Sequence, residues 1–137
     1  MINVIDTDIK EVKIIEPKIY NDNRGYFFES YNKNEFQKKV GNINFIQDNQ
    51  SESSYGVLRG LHFQKPPFEQ SKLVRVIKGE IQDVAVDIRA KSDTYLKHVS
   101  VILNDKNKRQ LFIPKGFAHG FLVLSKNAIV CYKVDQL

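Results

Sequence analysis

The feature that most constrains this chain is the recurrence, along nearly all of its 137 residues, of short segments rich in Val, Ile, Phe and Tyr and broken by turn residues. They run Val12 to Ile19, Tyr26 to Tyr31, Asn44 to Asn49, Val57 to Phe63, Leu73 to Ile77, Ile81 to Ile88, Leu96 to Leu103, Gln110 to Ile113, Gly120 to Leu124 and Ala128 to Val134. Many short strands with turn signals between them predict a mainly β sandwich or barrel. One helix is predicted, from Lys33 to Val40, with Asn32 as its N-cap, Glu35 three residues on and Gly41 to stop it. Phe36 and Val40 form its apolar stripe. Lys78-Gly79 predicts a tight hairpin, because Gly accepts the positive φ such a turn needs. The length supports one domain with its own core rather than two.

Composition narrows the partners. A net charge of +5 favours an anionic ligand. The basic runs Lys38-Lys39 and Lys106-Asn107-Lys108-Arg109 are too short and too diluted for a nucleic-acid arm, so no nucleic acid is expected. No apolar run approaches the length that spans a bilayer, and acids interrupt the apolar residues of the N-terminus. The expectation is no membrane partner and a cytoplasmic location. The single cysteine, Cys131, excludes an intramolecular disulfide and reads as a small core residue in a reducing compartment.

Alternation bears on the interior. Between Ile81 and Arg89, the apolar Val84, Val86 and Ile88 share one face, and Asp83, Asp87 and Arg89 share the other. A barrel with polar groups inside presents the acidic face inward; a plain sandwich exposes it to solvent.

Two histidines stand in different settings, Arg59-Gly60-Leu61-His62-Phe63-Gln64 and Pro114-Lys115-Gly116-Phe117-Ala118-His119-Gly120-Phe121. The second resembles the Pro-x-Gly-x-x-His signature of the cupin superfamily. The first falls where cupins carry His-x-His, but reads His62-x-Gln64. Two imidazoles need Gln64 or a carboxylate such as Asp83 to complete a metal site, which disfavours zinc or iron. On a regular strand Arg59 and His62 face opposite ways, so a shared site requires a β-bulge at Gly60. His98, with no supporting motif, reads as ordinary surface.

The blocks Asp22-x-Arg24-Gly25-x-Phe27-x-Glu29, Gln47-Asp48-Asn49-x-Ser51, Arg59 to Gln64, Lys72-Leu73-Val74, Asp83 to Arg89, Pro114 to Phe121 and Tyr132-Lys133 together resemble the dTDP-4-dehydrorhamnose 3,5-epimerases, metal-free cupins of the dTDP-rhamnose pathway. The resemblance implies a cupin-type jelly-roll barrel, no cofactor, and epimerisation at C3 and C5 of a dTDP-linked 4-keto-6-deoxy sugar. A reaction at one carbon, another nucleotide-linked keto sugar, or a catalytically impaired cupin that only binds its ligand are the alternatives. By resemblance His62 is the base, Tyr132 the acid and Lys72 the cation that stabilises an enolate. Substrate contacts fall to Lys72, His119, Arg59, Gln47, Asp48 and Asn49, with Arg24 and Glu29 completing the site of a partner in a homodimer with exchanged N-terminal strands.

Members of this family continue for a few tens of residues past Tyr132-Lys133, including a Trp-Asn-Asp-Pro-like segment whose carboxylate bonds the catalytic histidine. This sequence has no tryptophan. The expectation is a single cupin domain over residues 1–137 without that segment, in which Asp83 or Asp87 could stand behind His62.

Overall fold

In the computed structural model, which describes residues 1–137, the short apolar segments resolve into two main sheets. The strands are β1 (Ile2–Asp6), β2 (Lys13–Pro17), β3 (Tyr20–Asp22), β4 (Gly25–Phe27), β5 (Gln47–Ser54), β6 (Leu58–His62), β7 (Lys72–Lys78), β8 (Glu80–Asp87), β9 (His98–Asn104), β10 (Gln110–Ile113), β11 (Phe117–Val123) and β12 (Asn127–Val134), with one helix, α1 (Lys33–Lys39). A six-stranded sheet runs β1-β2-β10-β7-β12-β5 and a four-stranded sheet β6-β11-β8-β9, with β3-β4 as a separate hairpin. From β5 onward the chain crosses between the two main sheets at every connection except β8–β9, and every pairing is antiparallel. This is the cupin-type jelly roll the sequence predicts.

Two cores follow from the two faces of the larger sheet. Between the sheets, Val74, Val76, Ile81, Ala85, Leu103, Leu111, Ile113, Phe121, Val123 and Val130 form the barrel interior. On the outside, Phe36 of α1 packs with Ile15, Leu73 and Phe112. Strand β10 serves both cores, which explains why all four of its residues are buried. The helix begins where predicted: Asn32 Oδ1 accepts from the Glu35 amide at 3.1 Å, satisfying a donor the first turn leaves free. Phe36 then meets Phe45 and Phe112 edge-on, with centroids 5.4 Å apart in each case.

Three expectations differ from the structure. Lys78-Gly79 is not a hairpin turn, because β7 and β8 belong to different sheets; Gly79, at φ +90°, carries the chain across the barrel edge. A Cβ there would lie 2.2 Å from the Asn127 carbonyl oxygen. Cys131 is not a core residue: it is half-buried, and its thiol donates to Gln50 Oε1 at 3.2 Å. Strands β1, β3 and the second half of β5 escaped the sequence reading. The stretch Gln50 to Ser54 is polar throughout and is a strand because β12 supplies its ladder from Gln47 to Ser54. His98 is exposed on the edge strand β9, as expected.

Candidate active site

The open end of the barrel between β6 and β7 holds a cavity of about 420 Å³, including its mouth, walled by His62, Phe63, Gln64, Glu69, Gln70, Lys72, Ile88, Gly116 and Phe117. Its key positions are set by backbone irregularities at predictable residues. Strand β6 pairs with β11 through Leu58–Leu122, Arg59–Phe121 and His62–His119, so Gly60 and Leu61 together oppose Gly120 alone. This is the bulge that sharing Arg59 and His62 requires. Gly60 has φ +106°, the peptide that follows it is cis, and its bare Cα lies against the His119 carbonyl. Arg59 accordingly turns toward the facing sheet, where its Nε donates to the buried Ser53 hydroxyl at 2.7 Å.

Lys72 opens β7 and shares the inward face with Val74 and Val76. The segment before it is tied down: the Ser71 amide donates to Asp135 Oδ1 at 2.7 Å, and Gln70 Nε2 to the Gln136 carbonyl at 2.6 Å. Burial lowers the Lys72 pKa from the ordinary lysine value, and the negative charge of Asp83 opposes that shift. Its Nζ lies 5.5 Å from the centre of the Tyr132 ring, within the range of a cation–π contact. Tyr132 packs on the interior core beside Val130 and Val134 of its strand. Lys72 therefore joins the cavity of His62 to the phenol of Tyr132.

The acidic face of β8 points inward. Ile81, Asp83, Ala85 and Asp87 are buried in alternation with half-buried neighbours. Asp83 is fully buried and its Oδ1 lies 2.6 Å from His119 Nε2. Asp87, also fully buried, accepts from the Arg89 amide and guanidinium and from the Ser92 and Thr94 hydroxyls. The Arg89 guanidinium holds the Asp87 carboxyl well below the usual range, and Arg89 also pairs Glu11 at 2.8 Å. Both carboxylates are thus committed elsewhere, and neither stands behind His62. That corrects the expectation that one of them replaces the family's carboxylate. His119 is likewise held by Asp83, and no group of three His, Cys, Asp or Glu side chains is arranged to hold a metal ion.

The remaining predicted residues divide. On β5, Asn49 is half-buried opposite Tyr132 and donates to Gln47 Oε1 at 3.1 Å. Asp48, opposite Lys133, is exposed and pairs with that lysine at 2.8 Å on the outer face. Arg24 sits at the tip of the β3–β4 hairpin, where its only side-chain bonds are to Asp22. Glu29 accepts from Asn32 Nδ2 near the start of α1. Neither meets His62 or Lys72. The hairpin exposes Tyr20, Tyr26 and Phe27, more apolar surface than so small an element ordinarily leaves in water. Sequence reasoning missed Glu69 and Gln70, which reach the cavity wall from a loop that carries no motif.

The His62 imidazole and the Lys72 side chain on the cavity wall, with the Tyr132 ring against Lys72, can remove a proton, stabilise the oxyanion that results, and return a proton. This defines the class: a cupin-type barrel whose interior is furnished for proton transfer rather than for packing alone. Residues 6–137 match the family model described as dTDP-4-dehydrorhamnose 3,5-epimerase. The chain is 55% identical to dTDP-4-dehydrorhamnose 3,5-epimerase of Shigella flexneri, over 98% of this chain and 75% of that protein. Against the Escherichia coli K12 enzyme of the same name the figures are 53%, 98% and 73%. Among solved structures, dTDP-6-deoxy-D-glucose-3,5-epimerase of Legionella pneumophila, in complex with dTDP-4-keto-L-rhamnose, superposes with a TM-score of 0.97 at 53% identity, covering all of this chain and 73% of that one. The Bacillus anthracis dTDP-4-dehydrorhamnose 3,5-epimerase with TDP and PPi bound gives 0.97 at 46% identity, covering 100% and 79%. The chain belongs to the dTDP-4-dehydrorhamnose 3,5-epimerase family.

Proposed function

We propose that this protein epimerises dTDP-4-dehydro-6-deoxy-D-glucose at C3 and C5 to give dTDP-4-dehydro-L-rhamnose. The observation that carries the reading is the position of Lys72, which lines the His62 cavity and at the same time approaches the Tyr132 ring. The ketone at C4 acidifies the hydrogens at C3 and C5. His62 removes each in turn, the general-base role for which imidazole is the commonest side chain. The electron pair moves onto the C4 oxygen, where the Lys72 ammonium stabilises the enolate. Tyr132, whose phenol is a weak acid, returns a proton to the opposite face of the strongly basic enolate carbon. Arg59 donates to the diphosphate, for which a planar guanidinium is suited, and His119 contacts the sugar.

Arg24 and Glu29 lie apart from the cavity of their own chain, and the β3–β4 hairpin leaves its aromatic residues exposed. These placements support a homodimer in which the N-terminal strands of one protomer complete the nucleotide site of the other. Mixing His62→Ala chains with Arg24→Ala chains tests this: exchange rebuilds one intact site per mixed dimer, giving about a quarter of wild-type activity where each parent alone is inactive. No helix is long and apolar enough to cross a membrane; the free thiol of Cys131 and a nucleotide-sugar substrate support a cytoplasmic location.

Turnover in heavy water decides the chemistry. Deuterium at both C3 and C5, abolished in His62→Ala, is the expected result. Incorporation at C3 alone would instead indicate a one-carbon enzyme, like the 3'-monoepimerase from Streptomyces bikiniensis, whose structure superposes with a TM-score of 0.90 at 27% identity. Binding without exchange would leave only a ligand-binding cupin.

A further inference from the structure

Strand β12 stays paired with β7 as far as Val134, which stands opposite Lys72. One step further both strands have ended, with Asp135 just past β12 and Ser71 just before β7. The rung that would follow is made by a side chain instead. The Ser71 amide donates to Asp135 Oδ1 at 2.7 Å, and because Ser71 is buried, that carboxylate supplies the acceptor a buried N–H requires. The second oxygen, Oδ2, lies 3.5 Å from Lys115 Nζ. Lys115 directly precedes Gly116 and Phe117, which wall the cavity together with His62 and Lys72. Asp135, three residues beyond Tyr132, is thus joined to the residue before Lys72 and to the residue before Gly116.

The two contacts are unequal. Lys115 is half-exposed, and an ion pair to such an ammonium contributes little. A buried amide bonded to a carboxylate contributes more, and it is left without an acceptor when the carboxylate is removed. Lys72 is the first residue of β7, the place where a strand opens most readily, and its Nζ lies 5.5 Å from the centre of the Tyr132 ring. That spacing depends on the end of the ladder staying closed.

We propose that Asp135 is a positioning residue: by accepting the Ser71 amide it closes the end of the β7–β12 ladder and holds Lys72 on the cavity wall beside Tyr132. Its consequence for turnover rests on the epimerase reading, in which Lys72 must meet the developing enolate oxygen.

The test observes the Lys72 ε-methylene by ¹H–¹³C NMR of protein labelled at lysine Cε, without substrate, its signal identified by its loss in Lys72→Met. The ring current of Tyr132 displaces this signal, and Tyr132→Leu gives the ring-free position. Asp135→Ala removes the acceptor, so the signal is expected to move toward the ring-free position. Asp135→Asn keeps an oxygen that can accept from the amide and should hold the signal at its wild-type position. In turnover, Asp135→Ala should lower kcat about tenfold or more, with KM changed by less than kcat, and Asp135→Asn should restore kcat to within about twofold of wild type. Should Asp135→Ala not fold, Asp135→Leu keeps the side-chain volume without an acceptor and carries the same expectations. A wild-type Lys72 signal in Asp135→Ala, or a signal displaced as far in Asp135→Asn as in Asp135→Ala, overturns the proposal. The signal is read without substrate, so it decides the role of Asp135 even if no deuterium exchange is found and the epimerase reading fails.

Discussion

Gly60→Ala is the substitution whose cost the structure specifies most closely. At φ +106° the backbone of Gly60 lies where an L side chain is strained, at about 1–2 kcal/mol. In addition, the new Cβ would lie 2.6 Å from the His119 carbonyl oxygen and 2.7 Å from the Gly120 Cα. Both are backbone atoms of β11 and cannot swing aside, so β6 must lift, at a further cost of about 1–3 kcal/mol. The matched control is Gly56→Ala, just before β6, where φ is +80° but nothing lies within 4 Å of the new Cβ. Gly56→Ala therefore isolates the backbone term. In a domain of this size about 1 kcal/mol moves Tm by about 3–4 °C, so thermal unfolding should place Gly60→Ala about 3–12 °C below Gly56→Ala. Because His62 stands two residues further on and opposite His119, kcat should also fall about tenfold or more at a temperature where both variants are folded. Equal melting temperatures for the two variants would show that β6 is not pressed against β11 and that the bulge does not place His62.

Other outcomes follow from the same structure. Tyr132→Phe should lower kcat by about 10²–10⁴ while deuterium wash-in through His62 persists, a split seen by comparing product formation with exchange into recovered substrate. Asp87→Asn should cost about 2–4 kcal/mol in urea unfolding, since it leaves Arg89 with an uncharged partner in a buried network. The folded-state pKa of Asp87 is depressed, so its stabilisation is complete above the unfolded value of about 3.9 and declines as pH falls below it; stability measured from pH 5 to 2 should fall less steeply in the variant. Phe36→Ala, which empties the core under α1, should cost about 3–5 kcal/mol, against about 1 kcal/mol for loss of the cap in Asn32→Ala.

Local chemistry made much of this legible. Asn32 and Glu35 mark the start of α1 in sequence and in structure, and the need to reconcile Arg59 with His62 required the irregularity found at Gly60. What stayed hidden depends on partners distant in the chain. A positive-φ glycine suits a hairpin and a crossing between sheets equally well, so Gly79 could not reveal that β7 and β8 never pair. The alternation of β8 separated two faces without saying which turned inward, because that is decided by β11 and β9 on either side. Asp83 and Asp87 were recognisable as a pair, but only packing against His119 and Arg89 shows that they serve different neighbours. Glu69 and Gln70 had no periodicity or motif to single them out, and Asp48 and Asn49, adjacent in sequence, fall on opposite faces of β5.

The place of β12 in the larger sheet has a consequence for biosynthesis. It lies between β7 and β5 and carries Tyr132, so β5 has no neighbour in that sheet until β12 has left the ribosome. Strand β5 emerges well before β12 with its ladder unpaired, the condition that favours mispairing with other nascent chains. At about 5–20 residues per second, the 72 residues between Ser54 and Asn127 leave several seconds of exposure. Conditions that slow translation or withhold chaperones should therefore reduce soluble yield more than the equilibrium stability of the finished barrel suggests, and the same strand that docks β5 also brings the phenol of Tyr132 to Lys72.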